Sequence, residues 1–437
     1  MKSPDVLHLE PRRTTLDNGL RVVTMELPHL HAALVSVYVR SGSRHEDART
    51  NGVSHFLEHL FFRGSEGNPI GRVMNAMVED VGGDLNGVTT RDHGYYFSPV
   101  HPSKLEVPLS VLGDMLARPL FKEIDVEREV ILEEILDEVD EDGRDIDVDN
   151  LAKQALFGEH PLAMKIGGTR DTVAALREDD LRAHHARAYG AKNMVLSFAG
   201  PVPHEQVVEV ARRAFKHLPE GAALDDGPVP ALHASGPKLI AVDHKESQTS
   251  LQLSFPAVPE HHADFAALRV IKRALSDGLA SRLQLELVES RGLAYSVGAG
   301  MDGFTDVSMF DVGASCAPKK APALADEILR ILAEVCEGGI SETELVRAKL
   351  KSRIGLEFML DSPAEMLGWY GLGDLQRPPA EPFAVWLERI EGVTLADVIR
   401  VARSTFTKRG LVSCVVGPLA GVEKKLRASL EAASGLP

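Results

Sequence analysis

Hydrophobic and polar positions alternate over several short stretches of the first half of the chain, a pattern that predicts β-strands. Thr14 to Leu27 contains two such stretches around Asp17-Asn18-Gly19, which is typical of a β-hairpin. His31 to Arg40 is rich in β-branched residues and predicts a further strand. Gly82 to Thr90 and His93 to Val100 predict another strand pair. Helical patterns separate these strands, so the first half is predicted to be an α+β domain.

The same order of predicted elements recurs in the second half of the chain, at an offset of 217 residues. At this offset Asp180 aligns with Asp397, and Gly200 aligns with Gly417, each at the end of a hydrophobic strand. Residues 219–237 contain four prolines and three glycines and predict a linker between the halves. The sequence therefore predicts two homologous domains, residues 1–218 and residues 238–437.

Composition and charge narrow the class of protein. With 44% hydrophobic and 26% charged residues the chain is an ordinary globular protein. It contains no apolar run of about 18 residues, and Met1 to Arg13 lacks the apolar segment of a signal peptide, so we expect neither a membrane span nor export. The net charge of −16 disfavours nucleic acid and anionic membranes as partners. The three cysteines lie outside any C-x-x-C spacing, as buried thiols of a cytoplasmic protein would.

The candidate chemistry lies in the segment His55-Phe-Leu-Glu-His59. On a helix, His55 and His59 share one face, and Glu58 lies beside them. Two imidazoles and a free carboxylate are parts of a catalytic zinc site, where the carboxylate deprotonates the attacking water. The order of the residues is the H-x-x-E-H signature of inverzincins. A chance pair is the alternative in a chain with 17 histidines, but the glutamate and the aromatic neighbours favour zinc.

A hydrolytic zinc site needs a third protein ligand, and a second predicted helix offers candidates. Spacing alone leaves Glu127, Glu133 and Glu134 as alternatives, and it also allows all three to be solvated. In the repeat Glu134 aligns with Lys351, which indicates that the second copy holds no metal. The predicted buried stripe of this helix consists of Ile124, Ile131, Ile135 and Val139.

These motifs, together with Gly82-Gly-Asp-Leu-Asn86 and Glu127 to Glu134, resemble the pitrilysin/insulinase/mitochondrial-processing-peptidase family of zinc peptidases in its short two-domain form. The resemblance covers essentially the whole chain, including the duplication. It implies the LuxS-like metallohydrolase fold, in which each of two duplicated α+β domains is a mixed, mainly antiparallel sheet packed with helices. It also implies that two chains enclose a chamber.

The resemblance implies a role for each residue of the metal site. One zinc per chain is held by His55, His59 and Glu134. Glu127 lies behind the ligands and orients one of them. Glu58 is the general base. The N-terminal domain is therefore catalytic, and the C-terminal domain, which lacks the motif, binds substrate.

The resemblance also implies substrate-binding residues outside the metal site. Asn86 and Gly87 belong to an edge strand that pairs with an extended peptide, and the family usually has alanine in place of Gly87. Tyr295 stabilises the tetrahedral oxyanion. The arginine of many relatives stands seven residues before this tyrosine, where the present chain has Val288. Arg291 would have to replace it, the alternative being a plain surface arginine.

We therefore predict a zinc endopeptidase that hydrolyses peptides or unfolded segments inside a closed chamber. A homodimer is expected, with a heterodimer as the alternative. The competing hypothesis is a non-catalytic or partner-dependent subunit of the same family that serves as a scaffold or binds peptides. Scaffold members typically lose the metal triplet, and this chain keeps His55, Glu58 and His59.

Overall fold

The computed structural model describes residues 9–230, 236–376 and 381–437. The remaining residues, including 231–235 of the predicted linker and 1–8 of the N-terminal segment, lie outside the described part of the chain. The strands of the described residues are β1 (Arg12–Thr15), β2 (Arg21–Glu26), β3 (Ala33–Val39), β4 (Asn86–Thr89), β5 (Gly94–Val100), β6 (Met194–Gly200), β7 (Lys238–Asp243), β8 (Thr249–Ala257), β9 (Ser296–Gly303), β10 (Ser308–Cys316) and β11 (Val412–Gly417).

Helices make up most of the remaining described chain, and a π-type helical segment at Gln284–Ser290 lies just before β9. The α-helices are α1 (Val53–Phe61), α2 (Gly71–Glu79), α3 (Glu106–Ala117), α4 (Ile124–Leu136), α5 (Val148–Phe157), α6 (Arg170–Ala175), α7 (Glu178–Ala188), α8 (His204–Ala214), α9 (Phe265–Ser276), α10 (Ala321–Gly338), α11 (Glu342–Met359), α12 (Pro363–Met366), α13 (Leu372–Gln376), α14 (Phe383–Gly392), α15 (Leu395–Thr405) and α16 (Glu423–Ala432). None of the described helices is long and apolar enough to cross a membrane.

The first sheet contains six strands in the order β1-β2-β6-β3-β5-β4. The predicted hairpin forms, because β1 and β2 pair antiparallel around a turn in which Gly19 has a φ of 91°. Strands β2 and β6 are parallel, and the other neighbours are antiparallel. Strand β4 therefore lies at one edge of the sheet and pairs only with β5.

The second sheet repeats this topology. Its strand order is β7-β11-β8-β10-β9, and β7 and β11 form its parallel pair. The strands β2 to β6 of the first sheet correspond, in chain order, to β7 to β11 of the second. With this correspondence the two sheets have the same strand order, except that the first has the additional strand β1. The predicted fold class, two duplicated α+β domains with mixed, mainly antiparallel sheets, is confirmed.

The chain divides into two compact units that are not contiguous in sequence. Unit 1 contains residues 1–135, 164–227 and 355–385, and unit 2 contains the rest. In unit 2, α5 packs against β8 and β11 and contributes its apolar side chains to the core there. In unit 1, α12 and α13 pack against β3 and β6. Each half of the duplication therefore contributes one helical segment to the compact unit that is formed mainly by the other half.

The exchanged segment of unit 1 packs very closely on its sheet. A Cβ atom added to Gly371, which lies between α12 and α13, would come within 2.7 Å of the side chains of Ser197 and Tyr38. No other residue fits at such a distance. The segment is therefore an integral layer of unit 1.

The first part of the predicted linker is bound to unit 1. The carboxylate of Asp226 forms an ion pair with Arg40 at 2.6 Å, and its other oxygen lies 3.1 Å from His45 Nε2. The side chain of Asn193 accepts a hydrogen bond from the backbone N–H of Leu224 at 2.8 Å. Residues 219–227 thus belong to unit 1, and the next part of unit 2 begins at residue 228.

Candidate metal centre

Helix α1 carries the His-Glu-His motif on the polar side of an otherwise buried helix. Five of its apolar side chains are fully buried, and the residue before it, Gly52, has a left-handed backbone with a φ of 97°. The apolar face fixes the rotation of α1, so His55, Glu58 and His59 point together away from the core. The buried apolar residues are Val53, Phe56, Leu57, Leu60 and Phe61.

The structure brings Glu134 of α4 to the two histidines. Its Oε2 lies 3.7 Å from His55 Nε2 and 3.6 Å from His59 Nε2. Ligands bound to one zinc at about 2.0–2.1 Å in a tetrahedron are separated by roughly 3.3–3.5 Å, so these donors fit the metal closely. Within the described residues this is the one group of three or more His, Cys, Asp or Glu side chains that could hold a metal.

The two alternative third ligands are arranged differently. Glu133 is exposed and is not part of the donor group. Glu127 is buried, with an exposed fraction of 3%, and its Oε2 lies 3.0 Å from His59 Nδ1. Glu127 also forms an ion pair with Arg63, which in turn reaches Glu123 at 3.2 Å. Helix α4 ends at Leu136, so the predicted buried stripe stops before Val139.

The protonation of His55 suits a metal ligand. Burial and the neighbouring imidazole of His59 lower the pKa of His55 to about 4. A metal binds the neutral imidazole, so this ring does not need to lose a proton at neutral pH. The rings of His55 and His59 stand nearly perpendicular, at 79°, with their centroids 4.7 Å apart.

Glu58 is not part of the donor group and faces a cavity of about 720 Å³. The cavity is also lined by His59, Phe62, Arg63 and Arg72. Burial raises the pKa of Glu58, and a hydrogen bond that Thr89 donates from its hydroxyl at 2.5 Å opposes this rise. A partly desolvated carboxylate of this kind is a stronger base than one in water.

The predicted edge strand lies against Glu58. Asn86 is exposed at the start of β4, and Gly87 pairs with Tyr96 of β5. A Cβ atom at Gly87 would lie 3.0 Å from Glu58 Cγ and 3.1 Å from the ring of Phe62. The backbone of β4 therefore lies close to Glu58. Sequence analysis did not single out Thr89, although it follows Asn86 and Gly87 by only a few residues.

The predicted substrate residues of the second half lie in unit 2, just before β9. Tyr295 is 66% exposed, and its backbone N–H donates to the carbonyl oxygen of Ser315 at 2.8 Å. The side chain of Arg291 is 48% exposed and lies 3.5 Å from Glu327. Val288 belongs to the π-type segment and is partly buried. The roles predicted for these residues stay predictions.

Comparison with known proteins decides the family. Residues 21–170 match the family model of insulinase, peptidase family M16, and residues 175–352 match that of the peptidase M16 inactive domain. An uncharacterized zinc protease of Mycobacterium bovis is 34% identical over 98% of this chain and 97% of its own length. The chain belongs to peptidase family M16. The predicted membership in the pitrilysin/insulinase family is thus confirmed.

Other relatives of this M16 chain carry similar names. An uncharacterized zinc protease of Streptomyces coelicolor is 33% identical and covers 93% of this chain and 90% of its own. A protein of Arabidopsis thaliana named probable mitochondrial-processing peptidase subunit beta is 32% identical over 94% of this chain and 79% of its own. The crystal structure of a Helicobacter pylori protease shares the fold, with a TM-score of 0.87, 24% identity, and coverage of 94% of this chain and 99% of that one.

The names of the relatives and the geometry of the donor group both indicate zinc, the metal predicted from the sequence. Relatives are named zinc proteases, and the described chain contains a His-His-Glu group that could bind a metal, so zinc is confirmed as the cofactor of this M16 chain. The fixed Nδ1 of His59 also leaves its Nε2 free to face the metal. The individual roles of Glu58 and of the ligands stay predictions.

Proposed function

We propose that this M16 chain is a zinc-dependent endopeptidase that hydrolyses peptides or unfolded segments. The observation that carries the proposal is the convergence of His55, His59 and Glu134 beside a fourth polar residue, Glu58, that is free of the donor group. Three protein ligands would leave one coordination position of the zinc open. Zinc bound by these three residues would supply Lewis acidity toward a water molecule and a peptide carbonyl.

Glu58 moves the proton in the proposed reaction. Its carboxylate accepts a proton as the water attacks the scissile carbonyl carbon, and the same carboxyl group then protonates the leaving amine. The raised pKa of Glu58 supports both halves of this role, since the group must first accept the proton and then return it. The adjacent cavity offers room for the substrate side chains next to the cleaved bond.

Asn86 and Gly87 bind the substrate backbone in this proposal. Strand β4 pairs with β5 on one side only, so an extended peptide can add to its free edge by main-chain hydrogen bonds. Tyr295 and Arg291, whose side chains are largely exposed, hold substrate carbonyl groups and the oxyanion from the C-terminal half. The C-terminal domain thereby binds substrate without a metal of its own.

The proposed assembly is a homodimer that encloses the peptide, with a heterodimer as the alternative. A relative carries the name of a processing-peptidase subunit, which supports an assembly of more than one chain. The proposed compartment is the cytoplasm. Its support is that Cys316, Cys336 and Cys414 are all buried and free, as in a reducing environment.

A second candidate function is a subunit that needs a partner for activity. It is favoured by Val288, which stands at the position where many relatives have the substrate-binding arginine. Light scattering combined with peptide hydrolysis separates the two candidates. An active homodimer supports the self-sufficient enzyme, whereas an inactive species rescued by a second chain supports the partner-dependent subunit.

Elemental analysis for zinc, combined with a library of quenched fluorescent peptides, tests the endopeptidase. We expect Glu58→Gln to retain zinc and to lose hydrolysis, because the amide cannot accept the proton. Glu79→Gln, at an exposed position of α2, is the matched control and should hydrolyse peptides like the wild type. Retained turnover in Glu58→Gln would refute the role of this base.

A further inference from the structure

Thr89 holds the carboxylate that the proposed reaction uses as its base. Its hydroxyl donates to Glu58 Oε2 at 2.5 Å. Among the described residues, no other side chain makes a hydrogen bond to Glu58. Hydrogen bonds to a charged group contribute more than neutral ones, so this contact can decide the orientation of the carboxylate.

The contact restricts the orientation of the carboxylate. With Oε2 held by the Thr89 hydroxyl, rotation of the carboxylate about its terminal bond is limited. A base that must reach a proton within about 3 Å loses rate when its position is uncertain. A rigid partner for Glu58 therefore has a direct mechanistic use.

The residue that holds the base lies on the strand proposed to bind substrate. Thr89 is the last residue of β4 and pairs with Gly94 of β5. Gly87 lies two residues earlier, and since residues two apart share one face of a strand, both contact α1 from the same side. Gly87 accordingly lies against Glu58 Cγ. One short edge strand thus touches the base at two points while its free edge is open to a peptide.

A purely structural use of the hydroxyl is the alternative. Threonine hydroxyls in turns often bond to nearby backbone, and the next residue does so, because Thr90 Oγ1 donates to the carbonyl oxygen of His93 at 2.8 Å. Thr89 differs from Thr90 in that its hydroxyl is directed to Glu58, a residue distant in sequence and on another element. The pair of adjacent threonines offers a matched comparison.

We propose that Thr89 is a positioning residue for Glu58. The inference rests on the proposed function, in which Glu58 is the base and β4 receives the substrate. It assigns to the edge strand a second task beyond binding, since the same four residues hold the peptide and the carboxylate that acts on it.

Steady-state kinetics of Thr89→Val, Thr89→Ser and Thr90→Val, with zinc content measured for each, test the proposal. Thr89→Val keeps the shape of the side chain but removes the hydroxyl, and we expect kcat to fall by about 10- to 100-fold with KM within about twofold. Thr89→Ser should recover kcat to within about threefold of the wild type. Thr90→Val controls for disturbance of the turn, and zinc content should be unchanged in all three.

Several outcomes would overturn the positioning role. These are an unchanged kcat in Thr89→Val, an equal loss in Thr89→Ser, a change confined to KM, or a loss of zinc that accompanies the loss of rate. Crystal structures of wild type and Thr89→Val give a readout that needs no activity. We expect one carboxylate position for Glu58 in the wild type and a displaced or divided one in the variant.

The two crystal structures also allow the positioning role of Thr89 to be tested separately from the proposed function. If the wild type hydrolyses no peptide, the endopeptidase proposal fails, while an unaltered Glu58 in the Thr89→Val crystal would refute the positioning role by itself. If the wild type is active and Glu58 is unaltered in the variant, the function stands and the positioning role is refuted.

Discussion

Nδ1 of His59 lies 3.0 Å from a carboxylate oxygen of Glu127, a residue that is almost completely buried. This contact makes Nδ1 the protonated nitrogen and leaves Nε2 free for the metal. It therefore sets both the tautomer and the rotation of one proposed ligand from a helix other than its own. Arg63 forms an ion pair with the same carboxylate.

Loss of this carboxylate should weaken metal binding. In Glu127→Gln we expect the dissociation constant for zinc to rise by about 10- to 100-fold, because a neutral amide orients His59 less well and adds no negative charge. Competition with a chromophoric chelator measures it. Glu123→Gln is the matched control, since Glu123 reaches Arg63 but neither histidine. Equal zinc affinity in the two variants would contradict the orienting role of Glu127.

Adjacent glutamates of α4 provide a direct test of the third ligand. Glu134→Gln removes a charged donor of the His-His-Glu group, and we expect the purified protein to contain little zinc. Glu133→Gln changes the neighbouring, exposed residue by the same chemistry and should retain about one zinc per chain. Elemental analysis after exhaustive dialysis compares them. Full zinc content in Glu134→Gln would exclude this residue as a ligand.

A methyl group at position 87 should press on the base. In Gly87→Ala the new Cβ would lie 3.0 Å from Glu58 Cγ, so the carboxylate or Phe62 must move by a few tenths of an ångström. We expect kcat to fall by about two- to tenfold with zinc retained. Gly313→Ala, on β10 with no atom within 4 Å of the added Cβ, serves as the control strand glycine. A wild-type kcat in Gly87→Ala would mean that the neighbours yield without effect on the base.

Asp311 of β10 should make the stability of unit 2 depend on pH. Burial raises its pKa to about 7, while the Ser254 hydroxyl donates to its carboxylate at 2.5 Å and Lys153 opposes the rise. A raised carboxyl pKa means that the folded state binds the proton more tightly, so stability is greatest below about pH 4 for this group and falls as pH rises to about 7. This contribution should be absent in Asp311→Asn.

Thermal unfolding between pH 5 and pH 8 measures this effect. We expect the melting temperature of Asp311→Asn, relative to wild type, to be higher at pH 8 than at pH 5. Asp326→Asn, at an exposed position of α10, should show no such trend. Parallel curves for wild type and Asp311→Asn would contradict the raised pKa of Asp311.

The parts of the fold that could be predicted from the sequence are those that depend on residues close together in the chain. The hairpin follows from an Asn-Gly turn between alternating strands, and the pairing of His55 with His59 follows from helical spacing, because both depend on neighbours in the chain. The third ligand could not be chosen from spacing, since Glu127 and Glu134 lie on one side of α4 and only the position of α1 separates their roles.

Features that depend on residues distant in the chain could not be predicted from the sequence, for a related reason. The apolar pattern of α5 predicts that one face is buried but does not say against which sheet, and the helix packs on β8 and β11 of unit 2. Thr89 was missed because a hydroxyl has no periodic signature. Its use depends on Glu58, which lies 31 residues earlier in the chain.

The exchange of segments between the two halves affects how the chain folds during synthesis and whether its halves can be expressed separately. A ribosome completes β3 and β6 long before it reaches residues 363–376, so one face of the first sheet remains bare while most of unit 2 is being made. The nascent chain would need shielding during this interval. A gene cut between the two halves would therefore yield two fragments that each lack part of their own interior, and only their joint expression could complete either one.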